Sequence, residues 1–231
     1  PRRVKNFGRR LPSPRPSPQG ERETPARLAV LFVLAASACT STDCAEWGAA
    51  SKLGTFDSAL EELSGLVASR SQPGVLYAHN DSGDSARFFA VTTTGKTITE
   101  FLVDGATNVD WEDLGLGPCP AGTCLFIGDF GDNTGTRTDL AVYRLTEPTG
   151  LLDGKVSTKK SIASERFPFV YPDGAHFDAE ALFVHPTTGR VYVVTKEGQG
   201  ERSHLFRFPS PMDSSTTATL EALGKLSVPT D

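Results

Sequence analysis

The hexapeptide HNDSGD at residues 79–84 returns 48 positions later as IGDFGD at residues 127–132. Asp81 matches Asp129 without a gap, and both copies carry the same Asp-x-Gly-Asp phrase. A third copy of the surrounding sequence follows as EALFVHPTTGRVYVVTKEG at residues 180–198. Self-similarity at a fixed period is typical of repeat architectures. The chain is therefore expected to fold as a series of similar units.

Each copy divides into four short strand-like runs, separated by turns rich in Gly, Pro, Ser and Asn. The predicted strands are Leu63–Ala68, Val75–His79, Arg87–Thr92 and Thr97–Val103, then Trp111–Leu116, Thr123–Gly128, Leu140–Leu145 and Val156–Ile162, then Ala179–His185, Val191–Thr195, His204–Phe208 and Leu220–Val228. Four strands in a repeat of roughly 45 residues is the size of a β-propeller blade. An all-β sandwich is the alternative, but it would not repeat its own loops in register.

The sequence thus predicts an all-β fold, a β-propeller with three four-stranded blades at residues 61–103, 110–162 and 178–228. Propellers typically close with about 4–8 blades, so three blades predict an incomplete ring within residues 51–231. The segment Ser51–Phe56 is predicted to be a lone outer strand that helps to close the ring.

The N-terminal part of the sequence has the features of an exported lipoprotein. Residues 1–26 are basic and Pro-rich, which predicts a disordered extension; an upstream segment outside the working protein is favoured over a nucleic-acid-binding arm. Residues 27–38 have the charge, apolar run and small residues of an export signal. The ending Ala-Ser-Ala-Cys resembles the lipobox of bacterial lipoproteins, in which the cysteine, here Cys39, is acylated. Ordinary secretion with an unmodified Cys39 is the alternative, and residues 39–50 would form a linker.

This pattern predicts an envelope protein whose partner is the outer or the cytoplasmic membrane, reached through a lipid anchor; Thr40 after the cysteine favours the outer membrane. Residues 39–231 carry 15 Lys and Arg against 26 Asp and Glu, a net charge of −11. Such a charge repels nucleic acid and favours cations. The pair Cys119 and Cys124 brackets a short turn, which predicts a local disulfide, since no second Cys or His pair stands at zinc-ligand spacing.

Acidic residues recur at the ends of the two inner strands of successive repeats, and in a propeller these ends face one axis. Hard oxygen ligands of this kind suit Ca²⁺ or another divalent cation. The candidate ligands are Asn80, Asp81, Glu112, Asp129 and Glu180. The alternative is ordinary turn chemistry, in which the carboxylates cap backbone N–H groups and Gly takes a positive φ.

No catalytic set is evident, and four residues are weak candidates. Glu112 would act as a base with Asp110 as its partner, whereas the alternative has these acids binding backbone N–H groups. His176 stands near several carboxylates, yet a lone loop histidine is more often solvated. Lys196 would bind an anionic group or pair with a neighbouring acid. The sequence has no Gly-x-Ser-x-Gly elbow, His-Glu-x-x-His, Walker loop or dinucleotide fingerprint.

The stretches HNDSGD…RFFAV, NVDWEDL, GDFGDN…R…VYRLTEP and DAEALFVHPTTGRVYVVTKE resemble an uncharacterised family of bacterial secreted and lipoprotein β-propellers. The resemblance covers residues 60–208, and it extends more distantly to phytase-like and gluconolactonase-like propellers. In those two groups, channel-facing acids and Asn bind Ca²⁺ or another divalent ion that supports hydrolysis of phosphate esters or lactones. The resemblance implies the same role for the five candidate ligands, although a phytase's basic phosphate-binding cluster is not evident.

Two functions remain open. The favoured one is an envelope-anchored binding or scaffold module that holds a structural divalent cation. The alternative is a Ca²⁺-dependent hydrolase of phosphate esters or lactones that uses a central channel. Neither function indicates which protein or small molecule is bound.

Overall fold

The computed structural model describes residues 49–153 and 158–226, and within them nearly all regular structure is β-strand. The only helical segment described is a 3-10 turn at Pro172–Gly174. The strands are β1 (Leu63–Ala68), β2 (Val75–Asn80), β3 (Arg87–Thr92), β4 (Thr97–Asp104), β5 (Trp111–Cys119), β6 (Gly122–Asp129), β7 (Ala141–Thr146), β8 (Lys159–Ala163), β9 (Glu165–Val170), β10 (Ala179–Val184), β11 (Val191–Thr195), β12 (His204–Arg207), β13 (Ala218–Thr219) and β14 (Glu221–Lys225).

These strands form three sheets, which confirms the all-β class. Sheet I has the order β1-β2-β3-β4-β8, sheet II the order β5-β6-β7-β9-β13, and sheet III the order β10-β11-β12-β14. In each of these orders, the first four strands are antiparallel to their neighbours. The predicted strands of the first and third repeats agree with this structure to within a few residues.

The export signal at residues 27–38, Cys39 and nearly all of the predicted linker at residues 39–50 lie outside the described residues. Within the part that is described, no helix is long and apolar enough to cross a bilayer.

The prediction for the fourth strand of the second repeat, Val156–Ile162, is wrong. Its described portion belongs to β8, which pairs in parallel with β4 and so extends sheet I. The fourth strand of sheet II is instead β9, which pairs with β7. The burial pattern explains this choice, because β9 buries Phe167 and Phe169, whereas β8 has no fully buried side chain.

A connecting strand joins sheet II to sheet I, and another joins sheet III to sheet II. β8 adds to the outer edge of β4, and β13 adds in parallel to the outer edge of β9. In both places a single residue separates the connecting strand from the next outer strand, and its N–H donates back to the earlier sheet. Ser164 N donates to Asp104 O over 3.3 Å, and Leu220 N donates to Val170 O over 3.0 Å. The sheets are thus linked by backbone hydrogen bonds as well as by packing.

The predicted outer strand at Ser51–Phe56 is not present within the described residues, where this segment pairs with no strand. Its residues lie along the β3–β4 turn, and Gly54 approaches the Thr94 backbone so closely that a Cβ would overlap it. Asp57 then fastens the segment, with its carboxylate accepting hydrogen bonds from Lys96 Nζ at 2.9 Å and from Thr97 N at 2.8 Å. The turn is therefore covered by an irregular segment.

Two aromatic-rich cores hold the sheets together, and sheet II contributes to both. Trp111, Tyr77 and Leu125 belong to the core shared with sheet I. Phe126 and Phe206 belong to the core shared with sheet III. Because successive strand residues point to opposite faces, Leu125 and Phe126 enter different cores. This explains the continuous apolar run in β6, which is expected of a strand buried on both faces.

The first strand of every sheet has a β-bulge just after its first residue. The register shifts between Leu63 and Leu66 in β1, between Trp111 and Asp113 in β5, and between Ala179 and Ala181 in β10. The extra residue is Glu112 in β5 and Glu180 in β10, and in β1 the corresponding second residue is Ser64. A bulge re-aims the side chains near it, so this repeated irregularity gives the second residue of each strand a special direction.

The strand register corrects the alignment of the repeated acidic phrase. Asn80, Asp129 and Thr195 each lie opposite the first residue of the neighbouring strand. Asn80 is therefore the counterpart of Asp129, whereas the ungapped sequence match assigns that place to Asp81. Identical residues in two turns do not show that the strands before them have the same register, because register is set by the pairing along the whole hairpin.

The predicted disulfide is present: Cys119 and Cys124 are bonded, with their Cα atoms 5.8 Å apart. The bond joins β5 to β6 beside their short turn and so closes that hairpin at the end far from the bulge.

Candidate metal centre

The first strands of the three sheets lie side by side, with β5 between β1 and β10. Ser64 Oγ in β1 donates a 2.7 Å hydrogen bond to Glu112 O in β5. Leu182 N in β10 donates a 2.7 Å hydrogen bond to Asp113 Oδ2 in β5. Gly117 permits the second approach, because a Cβ there would overlap a methyl group of Val184. The bulged ends of neighbouring sheets are thereby brought together.

Five carboxylates meet at these ends. Oxygens of Asp81, Asp110 and Glu112 all lie within 4.8 Å of one another, and so do oxygens of Glu112, Asp178 and Glu180. Glu112 belongs to both groups and is only 5% exposed. We call the five residues the acidic cluster. Sheet I supplies one member, and sheets II and III supply two each.

The cluster is electrostatically unfavourable for its central member. Burial, followed by the charges of Glu180, Asp81 and Asp110, raises the pKa of Glu112 to about 8. Burial, and then the neighbouring Asp81, also raises the pKa of Asp110. Like charges held close together in partial burial disfavour ionisation in this way. A bound cation would reverse that effect.

One lysine partly compensates the cluster from its sheet III side. Lys196 Nζ donates to Glu180 Oε1 at 2.5 Å and lies 3.7 Å from Asp178 Oδ2. The hydrogen bond to Glu180 and the nearby acids raise the pKa of Lys196. The side chain is about half exposed, so this pairing is largely accessible to water. The other weak catalytic candidate outside the cluster, His176, lies 3.7 Å from Asp132 Oδ2 and is well exposed.

The two glycines of the repeated phrase have different roles. Gly83 has a φ of 87° and its α-carbon faces open space, so it serves the turn. Gly131 instead faces the acidic cluster, where a Cβ would overlap Glu112 Oε1 and Asp110 Oδ2. Its N–H also donates to Asp110 O over 3.2 Å. Gly131 thus makes room for the carboxylates.

Two of the five predicted ligands are engaged elsewhere. Asp129 is buried and accepts hydrogen bonds from Arg137 Nη2 at 2.9 Å and from Asp110 N at 3.0 Å, although burial still raises its pKa. Asn80 Nδ2 donates to Ala59 O and to the Asp84 carboxylate, each at 2.8 Å. For Asp129 the turn-and-support role that the sequence left open describes the geometry better than a ligand role. The buried Oδ1 of Asn80 has no hydrogen-bond partner among the described residues, so its ligand role stays a prediction.

Asp178 is the cluster member that sequence reasoning omitted. It precedes the first strand of sheet III, just as Asp110 precedes that of sheet II and Glu62 that of sheet I. The backbone carbonyls of all three accept an equivalent hydrogen bond: Asp178 O from Lys196 N, Asp110 O from Gly131 N, and Glu62 O from Asp81 N. Asp132 N further positions Asp178 through a 2.8 Å hydrogen bond to Oδ1. The position in the repeat that Asp178 shares with Asp110 was the signal in the sequence that could have identified it.

Comparisons with known proteins add little to this geometry. No family model matches the sequence, and no curated protein matches it. Among solved structures, Kuenenia stuttgartiensis hydrazine synthase aligns with 69% of this chain at 9% identity and a TM-score of 0.38. The alignment spans 41% of that protein's chain. A likeness this low carries no argument about fold or function.

Proposed function

We propose that the three sheets are blades of a propeller-like module, anchored in the bacterial cell envelope through Cys39, that binds a divalent cation at the acidic cluster. The module acts in binding or as a scaffold, and the cation links its sheets. The anchor rests on the export signal and lipobox in the sequence. The proposal that a cation binds rests on the geometry of the acidic cluster.

The observation that carries the proposal is the position of Glu112. Its side chain is almost fully buried at the junction of the three sheets, and it belongs to two groups of close carboxylates at once. Among the described residues, Lys196 forms ion pairs with Glu180 and Asp178, whereas Glu112 itself forms no ion pair; the charge of Arg137 acts on Asp110 from a greater distance. Buried carboxylates without a compensating charge are costly, so a bound cation is the simplest stabilising partner.

The donor set fits Ca²⁺. All five side chains offer hard carboxylate oxygens, and Ca²⁺ takes about 6–8 oxygens at roughly 2.3–2.6 Å, with waters completing the shell. Two oxygens on opposite sides of such an ion are about 5 Å apart. The spacing within each group of three, at most 4.8 Å, is compatible with one shared ion. Asp81, Asp110 and Glu112 form the group that Lys196 does not contact directly.

One observation favours the alternative function, a cation-dependent hydrolase. A carboxyl group whose pKa is about 8 can exchange protons near neutral pH, as a general acid or base must. Against this, His176 is in contact with Asp132 rather than with the cluster. Binding is therefore favoured over hydrolysis.

Isothermal titration of the full chain with CaCl₂, after treatment with EDTA, tests the proposal. Glu112→Gln should weaken Ca²⁺ binding by about tenfold or more, because it removes the ligand shared by both groups. Glu165→Gln is the matched control: Glu165 pairs with Arg144, its side chain is 55% exposed, and the variant should bind Ca²⁺ like the wild type. Equal affinity in the wild type and Glu112→Gln would refute the site.

The same proteins separate binding from hydrolysis. A binding module should lose thermal stability in EDTA and release no product from phosphate esters or lactones. Turnover that requires Ca²⁺ and is lost in Glu112→Gln, but not in Glu165→Gln, would establish the hydrolase instead.

A further inference from the structure

The outer edge of sheet III differs from the corresponding edges of sheets I and II. β8 covers the edge of β4 and β13 covers the edge of β9, both in parallel. Each covering strand is delivered by the sheet that follows, one residue before that sheet's own outer strand. β14 holds the same position in sheet III, and among the described residues its strand partner is β12. The chain thus shows twice how this kind of edge is covered.

Burial shows the same difference. β4 buries Phe101 and Val103, and β9 buries Phe167 and Phe169, in each case on alternate residues. All five residues of β14 are exposed, and Leu223 is 43% exposed. A single added strand covers an edge, whereas a packed sheet also covers a face. Both surfaces of β14 are open in the described part of the chain.

A charge pattern recurs at the outer edges. An arginine on the third strand pairs with a glutamate on the fourth in every sheet, as Arg87–Glu100, Arg144–Glu165 and Arg207–Glu221. In sheet I the connecting strand also brings Lys159 to Glu100, with 2.9 Å between Nζ and Oε1. Lys159 lies opposite Glu100 in the parallel register. Glu221 opens β14 and its side chain is 45% exposed, so it can receive a second basic group in the same way.

We propose that β14 is a docking edge for an extended strand that runs parallel to it and carries a basic residue opposite Glu221. The strand belongs to a further four-stranded sheet that resembles sheets I to III but is neither one of them nor part of a second copy of this chain. That sheet also covers Leu223. The backbone supplies the affinity, as in other cases of strand addition, and Glu221 sets the register. This interaction is independent of the cation.

The probe for the test is a peptide with the sequence of residues 158–164, TKKSIAS, which contains the longer connecting strand. Hydrogen exchange of the full chain is measured with and without saturating peptide. Exchange at residues 221–225 should slow by about tenfold, because added backbone hydrogen bonds protect amides from opening. A peptide that is N-methylated at alternate residues is the control and should give no protection.

Charge reversal tests the register. Glu221→Lys should weaken binding of the peptide, and a peptide with Lys159→Glu should restore binding to that variant. A spin label at the peptide's N-terminus should broaden the NMR signals of Glu221 more than those of Lys225, as parallel pairing requires.

Four results would overturn the proposal. The first two come from hydrogen exchange: no protection at residues 221–225, or protection at residues 97–104, which would mean that the peptide competes with β8. The others are stronger broadening at Lys225 than at Glu221, and no restoration of binding by the charge reversal. Sedimentation velocity checks a further occupant. A dimer that protects residues 221–225 without peptide would assign the edge to a second copy of this chain and would also overturn the proposal.

Discussion

The bulge of sheet I and the bulges of sheets II and III have the same place in the fold but different chemistry. In β1 the second residue is Ser64, whose hydroxyl binds the backbone of β5. In β5 and β10 the corresponding residues are Glu112 and Glu180, whose carboxylates enter the acidic cluster. The bulge forms with or without an acid, so it belongs to the fold. The carboxylates of Glu112 and Glu180 are additional features, and the bulges direct them into the acidic cluster.

A charged carboxylate at the position of Glu112 is unfavourable for the stability of the fold. The raised pKa of Glu112 shows that its charged form is disfavoured where it stands. Sheet I avoids this cost with a neutral hydroxyl, which makes a structural hydrogen bond. A region that keeps an unfavourable charge where a neighbour uses a neutral group is a candidate for function rather than stability. Variants can separate these two roles.

The largest effect is expected from Gly131→Ala. The added Cβ would overlap the carboxylates of Glu112 and Asp110, so the free energy of unfolding should fall by about 2 kcal/mol, and Ca²⁺ affinity should fall with it. Urea denaturation and calcium titration measure the two effects. Gly83→Ala is the control, since its cost comes only from a φ of 87°. Similar loss of Ca²⁺ affinity in both variants would remove the special role of Gly131.

The next effect is the pH dependence that Glu112 imposes in EDTA. Its pKa rises from an ordinary value of 4.5 to about 8 on folding, so the unfolded chain ionises first. The free energy of unfolding should therefore fall as pH rises from 4.5 to 8, by at least about 1 kcal/mol, since one pKa unit is worth about 1.4 kcal/mol. In Glu112→Gln this part of the decline should be absent. A wild type and a variant with parallel pH curves would contradict the electrostatic account.

A smaller effect should follow from Ser64→Ala. The variant loses one hydrogen bond to Glu112 O, which is expected to cost about 1 kcal/mol of unfolding free energy. Ca²⁺ affinity should stay close to that of the wild type, because Ser64 supports the backbone and not the carboxylate. An affinity loss as large as that of Glu112→Gln would mean that the bulge of sheet I takes part in the site.

The sequence was sufficient for the strand repeats because the hydrophobic runs and turn residues recur with nearly the same spacing in each sheet. It failed for β8, since pairing with β4 is a long-range choice that no local pattern records. It also matched Asp81 instead of Asn80 to Asp129, because the β5–β6 hairpin is one residue longer than the β1–β2 hairpin, and this shifts the register without changing the acidic turn. Asp178 was missed although its place in the repeat matches that of Asp110.

The smallest effect concerns the turn that distinguishes sheet I from the others. Sheets II and III extend the connection between their third and fourth strands into β8 and β13, whereas in sheet I a short turn is covered by residues 51–57. Hydrogen bonds from Thr97 N and Lys96 hold the pKa of Asp57 at about 2. The contribution of this carboxylate is therefore present above pH 3.8 and lost as pH falls towards 2. Asp57→Asn should speed amide exchange at residues 92–97 above pH 3.8 and leave Ca²⁺ affinity and exchange in β11 unchanged. Faster exchange throughout the chain would show instead that this segment supports all three sheets.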